Sequence, residues 1–198
     1  MFTLARSGSD RAPGRLLLTG VVVAAGWGAV IGLMLALAPE RNLRGMLFWL
    51  MGDFSFASQA APPLVLALVT VIIGVIIAPA LNLLATGDRQ AALLGVAVRP
   101  MRTALYLLSS LLTAVAVTTA GTVGFVGLVI PHLIRLAGST DHRIVLPCSA
   151  LAGGSLVVIA DTLARTVVAP QQLPVGAVTA LLGVPLFLVL LRRSGADR

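Results

Sequence analysis

The chain has 198 residues, is 58% hydrophobic and only 11% charged, and has a mean hydropathy of +1.03. A soluble domain of this length cannot hide so much apolar surface, so lipid has to be part of its solvent. The formal charge of +7 does not point to nucleic acid, because the 14 basic residues fall between long apolar runs rather than on one face.

All of those basic residues are Arg. A Walker A loop needs a Lys among the phosphates, so ATP and Mg, if used, belong on another subunit. Cys148 is the sole cysteine, which excludes an intrachain disulfide, and no His or Cys cluster has metal-ligand spacing. No cofactor, metal or catalytic residue is expected on this chain.

Residues 1–15 lack an apolar core followed by a small-residue cleavage site, and they read as a cytoplasmic tail rather than a signal peptide. Six apolar segments then approach the ~20 residues that a helix needs to cross the hydrocarbon layer: 16–37, 62–84, 101–120, 123–137, 144–169 and 175–191. Together they define a transmembrane domain over 16–191, an all-α polytopic bundle, with a second short tail at 192–198. The fourth segment is short and carries Pro131, His132 and Arg135, which leaves open a full span or a re-entrant piece shielded by protein. Between the first two spans, Phe48 and Trp49 mark residues 40–58 as a short helix at the outer interface. Six spans put both ends on one side, and only Arg41, Arg44 and Arg165 of the 14 basic residues fall on the other. Both termini are therefore expected in the cytoplasm, with 86–100 a cytoplasmic loop.

Small residues punctuate the helices. Gly121, Gly124 and Gly127 precede Pro131, while Pro174, Gly176, Gly183 and Pro185 flank or interrupt the last span. Close helix packing and a hinge both remain open for them. Pro174 suits the start of a helix, whereas Pro185 frees a carbonyl inside one.

Polar residues inside so apolar a chain deserve an account each. Asp161 and Arg165 stand four apart on one helix face, acid first, as a helical ion pair prefers. Near the membrane centre an unpaired charge costs about 2.5 to 3.5 kcal/mol, so pairing is expected whether or not the residues have another role. His132 reads as a hydrogen-bonded packing residue. Asp141, His142 and Arg143 read as a charged loop. The stretch TGDRQAALLGV, 86–96, has a Gly-Asp start, a short amphipathic run and Gly95 to stop it, which fits a plain loop or a short helix.

Three stretches resemble the FecCD-type permease family, the membrane subunits of importers for iron-siderophores, haem and cobalamin. They are GTVGFVGLVIPHLIRLAGSTDHRIVLP at 121–147, ADTLARTVVAPQQLPVGAVTALLGVP at 160–185, and, more weakly, TGDRQAALLGV at 86–96. Members of that family have about ten spans, and this chain resembles the last six, the C-terminal part of a type II importer permease. The resemblance implies a coupling helix that docks on the ATPase through Gly87, Asp88, Arg89, Ala92, Leu93, Leu94 and Gly95. It also implies that Arg165 meets a carboxylate on a periplasmic or lipid-anchored substrate-binding protein. A second permease copy or a partner permease would complete the path in the inner membrane. The expected function is import of an iron chelate, siderophore or haem; the alternatives are a cobalamin permease or a truncated remnant that does not transport.

Two other classes fit less well. A carrier driven by an ion gradient needs a free intramembrane carboxylate, and Arg165 neutralises the only candidate, Asp161. An intramembrane serine protease would want Ser before His in the chain, but Ser155 follows His132, and no G-x-S-x-G occurs.

Overall fold

The computed structural model describes residues 13–57 and 59–196. Most of the expected N-terminal tail, 1–12, and residues 197–198 lie outside the described residues. The chain divides into two compact units, 1–47 and 48–198. In the first, α1 (Pro13–Ala36) is apolar on every side, with Leu18, Trp27 and Leu33 all exposed, as a helix solvated by lipid requires. The helix α2 (Glu40–Leu50) crosses the boundary between units and opens on Glu40, an acid that complements the positive end of the helix dipole.

The second unit continues with a 3₁₀ turn (Phe54–Phe56), α3 (Ala61–Ile76), α4 (Ala78–Ala85), α5 (Asp88–Leu93), α6 (Val98–Ala120), α7 (Val126–Leu136), α8 (His142–Thr166) and α9 (Val175–Ala196). The described residues contain no strand. At the centre stands α8, which packs against α3, α4, α7 and α9. Its buried face is built from small side chains, and near its C-terminal end Ala160 and Ala164 meet Val175, with Phe54 and Val178 packed around them. Alanines at a helix contact let backbones approach closely, which matters where lipid supplies no hydrophobic drive for association.

The six expected segments take different forms. Among the described residues three helices, α1, α6 and α8, are long and apolar enough to cross a membrane alone. The expected span at 62–84 is instead two helices, α3 and α4, bent by 67°. The cause is Pro79 in the first turn of α4, which has no N–H for the Val75 carbonyl and whose ring collides with that turn. The break leaves Ile77 donating to Ile73 O and accepting from Leu81 N–H, at 3.0 and 3.1 Å. The segment at 123–137 forms α7, only 11 residues and ~16 Å long against a hydrocarbon core of ~30 Å. The last helix, α9, has 22 residues.

A knot of three backbone segments closes one end of the second unit, where residues 49–53 meet the end of α6 and the start of α9. Asp53 N–H donates to Ala120 O at 2.9 Å, Val175 N–H donates to Gly52 O at 2.9 Å, and the Thr122 hydroxyl donates to Leu50 O. Such crossing leaves no room for side chains. A Cβ on Gly176 would overlap the Met51 and Thr122 carbonyl oxygens, and one on Gly121 would overlap the Trp49 carbonyl. Gly52 adds a positive φ of +87° to the same crowding. Gly176 is thus closely packed by backbone.

The other expected small-residue contacts divide. A Cβ on Gly183 would sit 2.9 Å from Phe125 Cγ, so α9 and the start of α7 interlock there. Phe125 holds a left-handed φ of +66°, worth about 1–2 kcal/mol of strain, which its seat on Gly183 stabilises. At Gly124 and Gly127 a Cβ would instead meet open space among the described residues. Both α7 and α9 continue through Pro131 and Pro185, while Pro174 immediately precedes α9 and accepts its first turn's N–H groups from Ala177 and Val178.

Gly176→Ala should therefore lower stability by about 1–3 kcal/mol, because the methyl group meets backbone that cannot yield. Gly127→Ala, in open space within α7, should be neutral or slightly stabilising. Thermal unfolding of the two variants in detergent checks the contrast.

Candidate functional site

The residues that carry chemistry gather at the two ends of α8. Beside its N-terminal end lies α5, whose boundaries are set by glycine. Gly87 turns into the helix at a φ of +117°, and Gly95 leaves it at +86°. Val96 N–H reaches Ala91 O at 3.0 Å and Gly95 N–H reaches Ala92 O at 3.1 Å, the two bonds of a Schellman stop. Ala91 is fully buried and pins the helix to the body of the protein. Asp88 takes a 2.5 Å ion pair from the Arg102 guanidinium, which ties α5 to the first turns of α6. Both partners are half-exposed, so the pair orients the helix more than it stabilises it.

The remaining face of α5 is exposed among the described residues. Leu93 is 83% exposed and Leu94 64%, with Ala92 and Arg89 exposed beside them. Of the residues expected to form a coupling surface, Ala92, Leu93, Leu94 and Arg89 thus present themselves together. Asp88 is engaged internally, and Gly87 and Gly95 shape the ends.

Behind α5, α4 meets the start of α8 through Asn82. Its amide donates to Asp141 Oδ1 at 2.8 Å, and its carbonyl oxygen accepts His142 N–H at 3.0 Å and lies 2.6 Å from His142 Nδ1. Asp141 also caps α8 by accepting Arg143 N–H at 2.9 Å. The Asn82 amide, and then the Arg143 N–H, hold the Asp141 carboxyl below its ordinary value, because both bond to its charged form. The loop that looked merely charged is in fact a built contact. Asn82 was missed, although a lone Asn in the apolar run of α4 is the sort of residue that must find a partner.

At the opposite end, Arg165 Nε bonds Asp161 Oδ2 at 2.8 Å, one turn apart in the last turns of α8. The cation also suits the negative end of that helix's dipole. Arg165 is 40% exposed and Asp161 26%, while the second carboxylate oxygen, Oδ1, is buried without a hydrogen-bond partner. The chain after α8 folds back so that Leu173 N–H reaches Ala164 O at 2.9 Å, which leaves Arg165 beside an ordered loop rather than under it.

Comparison with known proteins bears on both ends. Residues 1–193 match the model of the FecCD transport family. The chain is 44% identical to the hemin transport system permease protein HmuU of Yersinia pestis, over all of this chain and 60% of that protein. It is 40% identical to the vitamin B12 import system permease protein BtuC of Shigella sonnei, over 91% of this chain and 56% of that protein. A solved metal-chelate type ABC transporter, in an inward-facing conformation, superposes with a TM-score of 0.78 at 33% identity, covering 90% of this chain and 58% of that one. The chain thus spans somewhat more than half the length of these relatives. A match of this extent, on a helical fold shared with a solved transporter, establishes that the chain belongs to the FecCD transport family.

Proposed function

We propose that this chain is permease machinery of an ATP-driven importer that carries an iron chelate, siderophore or haem, across the inner membrane. The observation that carries the reading is α5: a six-residue helix fixed by Ala91 and by the Asp88–Arg102 pair, yet presenting Leu93 and Leu94 to solvent. Apolar side chains held out on an ordered helix fit a groove on another protein. An ATPase subunit, which would bring ATP and Mg, is the partner that the family supplies for it. Arg165 would meet a carboxylate of the substrate-binding protein at the far end of α8, and a second permease copy would line the path. Cobalamin is the alternative cargo, supported by the 40% identity to a vitamin B12 permease, against 44% to a hemin permease.

The Arg asymmetry supports a multi-pass protein with both ends cytoplasmic. Reporter fusions after Arg198 and near Gln171 should label the inside and outside respectively, and the same side for both would overturn that topology.

Replacing Leu93 by Asp should weaken co-purification of the ATPase by about 10- to 100-fold, since a charge would enter an apolar groove. Folding should survive, because the side chain is 83% exposed. An unchanged association would remove the docking role.

The ion pair separates structure from recognition. Arg165→Glu sets two like charges one turn apart and should lower the melting temperature, and adding Asp161→Arg should recover it by exchanging the partners. Affinity for the binding protein should stay low in the exchanged variant, because position 165 still repels a carboxylate. Recovery of both properties would make Arg165 purely structural.

A further inference from the structure

The first four N–H groups of a helix have no partner within it, and in an apolar setting each must find one elsewhere. For α8, capped by Asp141, the three donors that follow the cap are all met: Ile144 N–H donates to the Asp141 carbonyl at 3.0 Å, Arg143 N–H donates to the Asp141 side chain, and His142 N–H donates to Asn82. Two of the three are served by the capping residue itself. The third is served from another helix.

Asn82 is therefore both a lateral cap for α8 and, through its own amide, a donor to the residue that caps the other two. Its orientation is fixed: the NH₂ group must face the Asp141 carboxylate, and the oxygen must face two donors, His142 N–H and a protonated Nδ1. It is also the only polar side chain in α4. At its other end α4 is parted from α3 by the 67° bend, whereas it runs into α5 through a tight turn, with Thr86 N–H and hydroxyl both donating to Leu83 O and Gly87 N–H to Leu84 O. The pieces α4 and α5 thus form one unit, with one polar attachment to α6 through Asp88 and Arg102 and another to α8 through Asn82.

We propose that Asn82 is a positioning residue that couples α5 to α8, so that displacement of α5 by its partner is delivered to the helix carrying Asp161 and Arg165. This rests on the reading of α5 as the ATPase-docking helix. A helix of 25 residues extends ~37 Å, long enough to carry the displacement across the protein.

The test uses the assembled importer, with permease, ATPase and binding protein in proteoliposomes, and reads ATP hydrolysis with and without the binding protein alongside the melting temperature. Asn82→Asp faces a carboxylate with a carboxylate, and Asn82→Leu leaves His142 N–H unserved. Each should reduce the stimulation by binding protein about tenfold. The exchange Asn82→Asp with Asp141→Asn restores one carboxylate and one amide with their roles reversed: a carboxylate at 82 accepts from His142 and from the new amide, whose side chain must turn to donate because both native bonds converge on Asp141 Oδ1. Stimulation should then return to within about twofold of the unmodified complex. Undiminished stimulation in both single variants would overturn the role of Asn82, as would an exchanged variant that recovers its melting temperature without recovering stimulation. If a single variant does not assemble, the exchanged one decides alone. An unmodified complex with no binding-protein response would overturn the importer reading itself, and this proposal with it.

Discussion

Backbone N–H and carbonyl groups in an apolar medium have to be satisfied by the protein, and this chain has few polar side chains with which to do it. The demand is sharpest at the two ends of α8, which packs against four other helices and so cannot borrow water along its flanks. At one end Asp141 and Asn82 take the N–H groups of His142, Arg143 and Ile144. At the other, Leu173 N–H takes the Ala164 carbonyl, and Arg165 lies over the last turn. Where those closures are made decides which loops sit beside the helix, and hence which residues are presented at each face.

Packing without large side chains imposes the second constraint. The Ala160–Ala164–Val175 contact buries little volume, so its specificity comes from how closely the backbones approach. Gly52, Gly121 and Gly176 take that to its limit, with carbonyl oxygens lying where side chains would otherwise stand. A rigid closure of this kind at one end of the unit contrasts with α5 at the other, where an ordered helix leaves its leucines bare.

Much of this was legible in the sequence, and the misses have physical causes. Hydropathy located all the apolar segments, because burial in lipid is a property of composition. It could not show that 62–84 breaks in the middle, since every residue around Pro79 is as apolar as in an unbroken span. The spacing of Asp161 and Arg165 gave their pairing directly, as a pair within one helix depends only on its pitch. The Asp141–Asn82 contact joins residues 59 apart, and the Asp88–Arg102 pair joins two helices, so neither has a local signature. Gly176 and Gly124 look alike in the sequence, yet one lies under two carbonyls and the other faces open space among the described residues. The left-handed Phe125 was invisible, because nothing in its residue type favours that conformation.

The bend between α3 and α4 has a mechanical side. At 67°, less than half of any displacement along α4 projects onto the axis of α3. A continuous helix through residues 62–84 would act as a piston, passing axial thrust straight through the bilayer. The broken one would turn such thrust sideways, away from the axis of α3.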